Sequence, residues 1–444
     1  MDVIPIDALR GAVAARRSWM ERTLRDIVAI PSISGSEQAV QAHMRALLAE
    51  LGFAVTEVPT AAETLTQHPG YSRPVPGHTG AASLFASLPG ADPGARALLV
   101  SGHVDVVPTG PDALWASAPF APATRDGWIH GRGAGDMKGG LVAALGGLMA
   151  LRDLGLAPRG AFHFNTVVEE ECTGNGALAT VAWMKRRGVT VDAVLDPEPS
   201  GETIQLAQLG VAWMQVAIVG RPAHAGHKQR GNNAIEAAIH VWSRLKALEA
   251  AWNAPARRHP AFAEDPNAIK FNLGRIEGGE WISSVPVECR MGVRFSFFPG
   301  TDPQAAKDEV AAAVRAAIAE LPQPPRVEIG FDGFHAEPCE VPADAPPLAL
   351  LADIHAELRG APAGFRNITA TTDVRHFWLH GGIPATCYGP VARDIHGLDE
   401  AVSVDSLVRV AEVYALFIAR WCGVRPADAM AGEAVGGGGE NDAG

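Results

Sequence analysis

Leu98-Leu99-Val100 is an unbroken apolar run, and it reads as part of a strand, Ala97–Gly102, buried on both faces of a sheet. Phe162–Val168 and Ala193–Leu195 read the same way, and the intervening segments Leu141–Leu154 and Ala177–Arg187 have helical patterning. Ala54–Val58 and Ser83–Leu88 supply two further strands. Strand and helix alternate, so this half of the chain is expected to be α/β with a mainly parallel sheet. Each buried run stops at charged residues: His103 and Asp105 after the first, Glu169-Glu170-Glu171 after the second, Asp196-Pro197-Glu198 after the third. Ligands of open α/β sheets bind at the carboxyl ends of strands.

The pattern changes near Gln208. Val211–Val219, Ile269–Ile276 and Val285–Phe298 read as longer strands, and Asn233–Trp252 and Pro303–Leu321 as amphipathic helices. They predict a smaller α+β unit, residues 208–322, inserted into a main domain formed by residues 1–207 and 323–424. Asp7–Leu51 reads as helix, turn, helix, broken at Pro31–Gly35. The α/β pattern returns with a helix at Pro347–Arg359, a strand at Ala385–Tyr388 and a helix at Ser406–Trp421. Residues 425–444, with four successive glycines, are expected to be disordered.

Charge narrows the partners. With 37 basic against 49 acidic residues the net charge is -12, which argues against nucleic acid or an anionic membrane as the main partner. The five cysteines, at 172, 289, 339, 387 and 422, form no CxxC pair and suggest a reducing compartment. Apolar stretches such as Leu141–Leu151 fall short of the ~18–20 residues that span a bilayer. Met1–Ile6 shows no secretory pattern, so a soluble cytoplasmic protein is expected.

In Asp126–Gly140, six glycines flank the carboxylate of Asp136, and the stretch runs directly into an apolar helix. Glycine permits close backbone approach and positive φ. Gly131, Gly133 and Gly135 could suggest a phosphate cradle, but an acid at 136 would repel the anion. A carboxylate held to bind metal fits better. Other ligands are available: His103, the glutamate triple, Asp196 or Glu198, and His396 in a late loop, Asp394–Gly397. Imidazole and carboxylate suit zinc, with cobalt and manganese as alternatives, and a shared Asp can bridge two ions. Asp136, Glu171 and Glu198 with a hydroxide would carry four negative charges, matching two divalent ions. Asp105, two residues from His103, could accept the far ring N–H of a metal-bound imidazole.

His103-x-Asp105, Gly131–Gly140, Glu170-Glu171 with Gly176, Glu198-Pro199, His224-Ala225-Gly226 and His396-Gly397-x-Asp399-Glu400 occur in an order that resembles the M20 metallopeptidase family. Within it the chain is most similar to the acetylornithine deacetylase and succinyl-diaminopimelate desuccinylase type of deacylase. The resemblance implies that His103 and Glu198 bind one zinc and Glu171 and His396 the other, with Asp136 bridging. It implies Glu170 as general base, Asp105 as partner of His103, and a cis peptide after Asp136. The inserted unit would be a lid and dimerisation domain, and His224 would reach the partner subunit's site to steady an oxyanion. Glu169 makes the acidic pair a triple, so the register could slip by one, and Asp196 competes with Glu198 as ligand.

Many relatives place an arginine just before Pro-Gly on the last lid strand; here Pro299-Gly300 aligns Ser296 with it, and Arg294 lies two residues earlier. Ser283 or Ser284 stands where an Asn is common. Recognition of a substrate carboxylate would then pass to Arg294, Arg290 or Lys228, and Thr371-Thr372-Asp373 resembles a substrate-side loop. The expected activity is hydrolysis of the amide bond of a small N-acyl amino acid or related N-acyl compound by a homodimer. A carboxypeptidase or dipeptidase of the same family is the alternative.

Other classes fit less well. A silent binding relative would lack the base or a ligand, and none is missing. An oxidoreductase would need a full G-x-G-x-x-G, and a serine hydrolase a G-x-S-x-G elbow. Cys172, among acids, would be a poor nucleophile.

Overall fold

The computed structural model describes residues 4–60, 65–74 and 81–427. Its central sheet has six strands in the order Ala54–Pro59, Ala82–Leu88, Phe162–Val167, Leu98–His103, Ala193–Asp196, Ala385–Cys387. The last four are mutually parallel; Ala82–Leu88 runs antiparallel to both of its neighbours. Every residue of Leu98–His103, Phe162–Val167 and Ala193–Asp196 is buried, which accounts for their apolar character. The helices Gly139–Asp153 and Val404–Cys422 pack on each other within the same core.

The N-terminal segment forms three helices, Ile6–Ala15, Arg17–Val28 and Gln38–Glu50, where two were expected. The extra break lies at Arg16, whose guanidinium reaches Asp153 at the end of Gly139–Asp153. It allows Leu9 and Val13 before it, and Met20, Leu24 and Ile27 after it, to reach one core.

The second sheet is antiparallel, ordered Phe271–Gly278, Glu288–Phe297, Gly210–Val219, Arg326–Gly330. The helices Ala234–Trp252 and Pro303–Ala319 back it and share a separate core with it. Asn233 and Asp302 cap these helices by accepting backbone N–H groups of their first turns. The sheet continues beyond the expected limit at 322. Arg326–Gly330 pairs with residues 215–219, and His335–Ala336 with residues 211–212, so backbone pairing holds this stretch to the second sheet.

Besides a two-stranded pair, two small sheets escaped the periodicity reading, since strands of two to five residues carry little pattern. In one, Ala401–Ser403 pairs with Trp128–His130, drawing the His396 loop against the glycine-rich turn. In the other, Ile204–Gln208 lies between Cys339–Glu340 and Phe365–Ile368. Residues 425 and 426, expected in a disordered tail, instead lie in Val424–Pro426, which pairs with Leu156–Pro158. Residues 428–444 lie outside those described. Among the described residues no helix is long and apolar enough to cross a membrane.

Candidate metal centre

The strand ends and the glycine-rich turn meet at one point. Gly133 takes φ +84, and Gly140 lies so close to the next strand end that a Cβ there would come within 1.8 Å of the Pro197 carbonyl oxygen. The turn therefore seats Asp136 beside Glu198. The Asp136–Met137 peptide is cis.

Asp136 stands between two imidazoles. Its Oδ1 is 3.1 Å from Nε2 of His103 and its Oδ2 is 3.2 Å from Nε2 of His396. His103 Nε2 also lies 3.5 Å from Glu198 Oε1, and His396 Nε2 lies 3.1 Å from Glu171 Oε1. The five sequence-expected ligands thus form two triads sharing one aspartate. Ligand atoms of His103, Asp136 and Glu171, and those of His103, Glu170 and Glu198, also lie within 4.8 Å of one another. His103 is fully buried, whereas His396 is half-exposed, on a loop where it takes φ 60.

Asp105 acts differently from expectation. His103 Nδ1 is 2.9 Å from the backbone carbonyl of Asp105 and 3.7 Å from its carboxylate. The carboxylate is already engaged by the N–H groups of Glu170 and Glu171, both at 3.1 Å, and by the Ser34 hydroxyl at 2.8 Å. The main chain of Asp105 therefore sets the imidazole, and its side chain sets the two glutamates.

The glutamate triple is resolved by direction. Glu169 turns inward and accepts the hydroxyl of Thr173 at 2.9 Å. Glu170 lines the cavity, and its buried Oε1 has no hydrogen-bond partner. Asp196 is buried off the cavity with Oδ1 unpartnered, while Glu198 lines it.

Electrostatics follow from crowding carboxylates in a dry site. Burial, then the charge of Asp373, pushes Glu170 well above the usual carboxylate range. Burial, then Asp136, pushes Glu198 up to about 7. Burial disfavours the imidazolium of His396, but hydrogen bonds to Asp136 and Glu171 outweigh it and push its pKa up to about 11. For Asp136 burial acts upward, yet bonds to His103 and His396 hold its carboxyl below the usual range. The unpartnered Glu170 oxygen and the mixed imidazole and carboxylate donors fit divalent ions.

The cluster opens into a cavity of about 540 Å³, walled by Gln205, Asp265, Arg366 and the segment Asn367–Thr372. The expected substrate residues divide. Arg294 lies behind the wall, with Nη2 3.3 Å from the Thr369 carbonyl. Ser296 is fully buried, its hydroxyl accepting the Lys270 N–H at 2.9 Å, so it is not brought to the cavity. Asp373 is also buried off the cavity, with Arg375 Nη1 at 3.8 Å. Lys228 and His224 are exposed on the loop 224–230 and do not line it. Arg290 pairs with Glu288 at 2.5 Å.

Two kinds of residue were missed. Arg366 is a cation of the cavity wall, where its Nη1 donates to the Ser200 carbonyl at 3.0 Å. Glu400 and Arg132, both buried, form an ion pair behind Asp136. Glu400 belonged to a matched stretch, but a buried acid and a solvated one look alike in sequence.

Residues 99–420 match the sequence model of Peptidase family M20/M25/M40. The chain is 27% identical to a succinyl-diaminopimelate desuccinylase of Gluconacetobacter diazotrophicus, over 94% of this chain and 100% of that one. It is 28% identical to an N-formyl-4-amino-5-aminomethyl-2-methylpyrimidine deformylase of Halalkalibacterium halodurans, over 75% of this chain and 81% of the relative. Among solved structures it resembles the dipeptidase Dug1p of Saccharomyces cerevisiae, with a TM-score of 0.77 at 15% identity, covering 94% of this chain and 98% of that one. At that identity the likeness is one of fold.

Proposed function

The chain belongs to peptidase family M20/M25/M40, and from that premise we propose that it hydrolyses the amide bond of a small N-acyl compound at a two-metal centre organised by Asp136. The observation that carries this reading is the approach of His103 and His396 to the two oxygens of one carboxylate, at 3.1 and 3.2 Å. In this reading His103 and Glu198 would hold one divalent ion and Glu171 and His396 the other, with Asp136 common to both sets. Two such ions supply Lewis acidity toward the scissile carbonyl and lower the pKa of a bound water. Zinc suits these donors, and cobalt and manganese accept the same set.

Glu170 is the general base. It takes a proton from the attacking water and delivers it to the leaving nitrogen as the C–N bond breaks. Burial and Asp373 favour its protonated form, whereas divalent ions held by the neighbouring ligands would favour the carboxylate. Asp105 orients the site by holding the N–H groups of Glu170 and Glu171. Arg366 in the wall supports a substrate with a carboxylate away from the scissile bond.

We read residues 208–336 as a lid and dimerisation unit, with His224 steadying the oxyanion of a second copy's substrate. Its exposure away from this copy's cavity supports that assignment. Five buried cysteines without disulfides support a reducing, cytoplasmic setting.

The test joins metal analysis to a panel of N-acetyl, N-succinyl, N-formyl and dipeptide substrates, run on wild type and Glu170→Ala. Two equivalents of metal, turnover of an N-acyl substrate and its loss in the variant support the reading. Metal-free wild type with full turnover overturns it. Preference for dipeptides moves the assignment to the peptidase branch.

A further inference from the structure

Glu400 does not line the cavity, yet it accepts several hydrogen bonds from the turn that carries Asp136. Its Oε1 takes the N–H groups of Gly133 at 3.0 Å and of Gly135 and Asp136 at 2.9 Å. Its backbone carbonyl takes the N–H of Gly131 at 2.9 Å. Its other carboxylate oxygen is 2.5 Å from Nη1 of Arg132, whose Nη2 donates to the carbonyl of Gly397 at 2.9 Å and of Pro108 at 3.3 Å. Gly397 directly follows His396. One buried pair thus holds the turn that carries Asp136 and the loop that carries His396.

We propose that the Arg132–Glu400 pair is a positioning element that sets Asp136 and His396 in a common geometry for metal. It rests on the two-metal reading above. The physical case is one of orphan donors. A glycine-rich turn in a dry site leaves several N–H groups without helix or sheet partners, and an unmet buried donor is costly. A single carboxylate oxygen satisfies three of them and thereby fixes the rotation of the peptide that bears Asp136. The side chain of His396 meets Asp136 and Glu171 of the cluster itself, but it is half-exposed and its backbone lies in the left-handed region. A buried ion pair is weak evidence for stability, since apolar pairs often replace one without loss. The backbone bonds on both sides of this pair point instead to placement of the cluster.

The two members act on different parts of the site. Asp136 faces both triads, so loss of Glu400 reaches both ions. Arg132 supports the His396 loop, so its loss reaches only the triad that uses His396. Neither residue lines the cavity, so both act through the ligands.

The experiment is calorimetric titration of the metal-free full-length protein with Zn²⁺, with circular dichroism to check folding. Wild type is expected to bind two ions. In Glu400→Ala both steps weaken by about ten- to hundredfold, the usual range when the support of a ligand is lost. In Arg132→Met one step weakens and the other stays within about threefold of wild type, a far smaller change than that range. Glu400→Gln combined with Arg132→Met keeps an oxygen for the three N–H groups and matches Arg132→Met. A folded Glu400→Ala that binds both ions as wild type does overturns the positioning role. If that variant does not fold, wild-type affinity for both ions in the double variant overturns it. A wild type that binds no divalent ion removes the two-metal reading itself, before any variant is compared.

Discussion

Asp105 Oδ1 accepts the backbone N–H of Glu170 at 3.1 Å, so the residue whose main chain orients His103 also anchors the proposed base. Glu170 lines the cavity beside the metal ligands, and its buried Oε1 has no hydrogen-bond partner. Fixing the backbone while leaving the carboxylate unengaged suits a group that must collect and release a proton.

Glu170→Gln keeps the shape of the side chain and removes its basicity. Turnover is expected to fall by about 10²–10⁴-fold with metal content unchanged. Glu169→Gln, whose parent carboxylate is engaged by Thr173, is expected to retain turnover within about tenfold, well short of the loss of a general base. Steady-state kinetics with metal analysis of both variants decides between the two registers, and the opposite ranking would place the base at 169.

Asp105→Asn presents an NH₂ group where the wild-type oxygen accepts a backbone N–H. One of the bonds at Glu170 or Glu171 is lost, and the affinity for metal is expected to drop by about ten- to hundredfold. Competition with a coloured chelator reads this directly. Unchanged affinity would show that the main chain of Asp105, through His103, suffices.

Substrate recognition separates Arg366 from Ser296. Arg366→Ala is expected to raise KM about tenfold or more for substrates with a carboxylate away from the scissile bond, as loss of a charge-assisted contact does, and to leave N-formyl neutral substrates unaffected. Ser296→Ala is expected to leave KM unchanged for every substrate, because the hydroxyl is engaged by the Lys270 main chain. An equal rise in KM for charged and neutral substrates of Arg366→Ala would argue against an anion contact.

His163 supplies a pH dependence outside the centre. Burial in the sheet, beside Phe85 and with Nδ1 2.9 Å from the Ser87 hydroxyl, lowers its pKa to about 4. The unfolded chain, with a histidine pKa of about 6.5, binds the proton more readily than the folded one. The stabilising contribution is therefore complete above about pH 6.5 and is lost as pH falls through 4, on the order of 3 kcal/mol. His163→Phe is expected to flatten the fall of Tm over that interval relative to wild type. An identical slope in the two proteins would mean that His163 binds its proton equally readily in the folded and unfolded states.

The chain alone determined the α/β class and most of the strands and helices around the centre. Strands buried on both faces must be apolar, and a charge at their ends is conspicuous against that background. The same contrast marked His103, Glu170, Glu171, Glu198 and the glycine-rich turn at Asp136, which the structure gathers into one cluster. A length of three residues each hid the strands Trp128–His130 and Ala401–Ser403, whose pairing brings His396 to the turn. Tertiary structure alone decided which way each acid faces: Glu169 into Thr173, Glu170 into the cavity, Asp105 onto two N–H groups. It also decided that Ser296 is buried while Arg366 walls the cavity, and that Glu400 holds the turn from behind. Neighbouring acids in a sequence are chemically equivalent, and only packing and hydrogen bonding make them different.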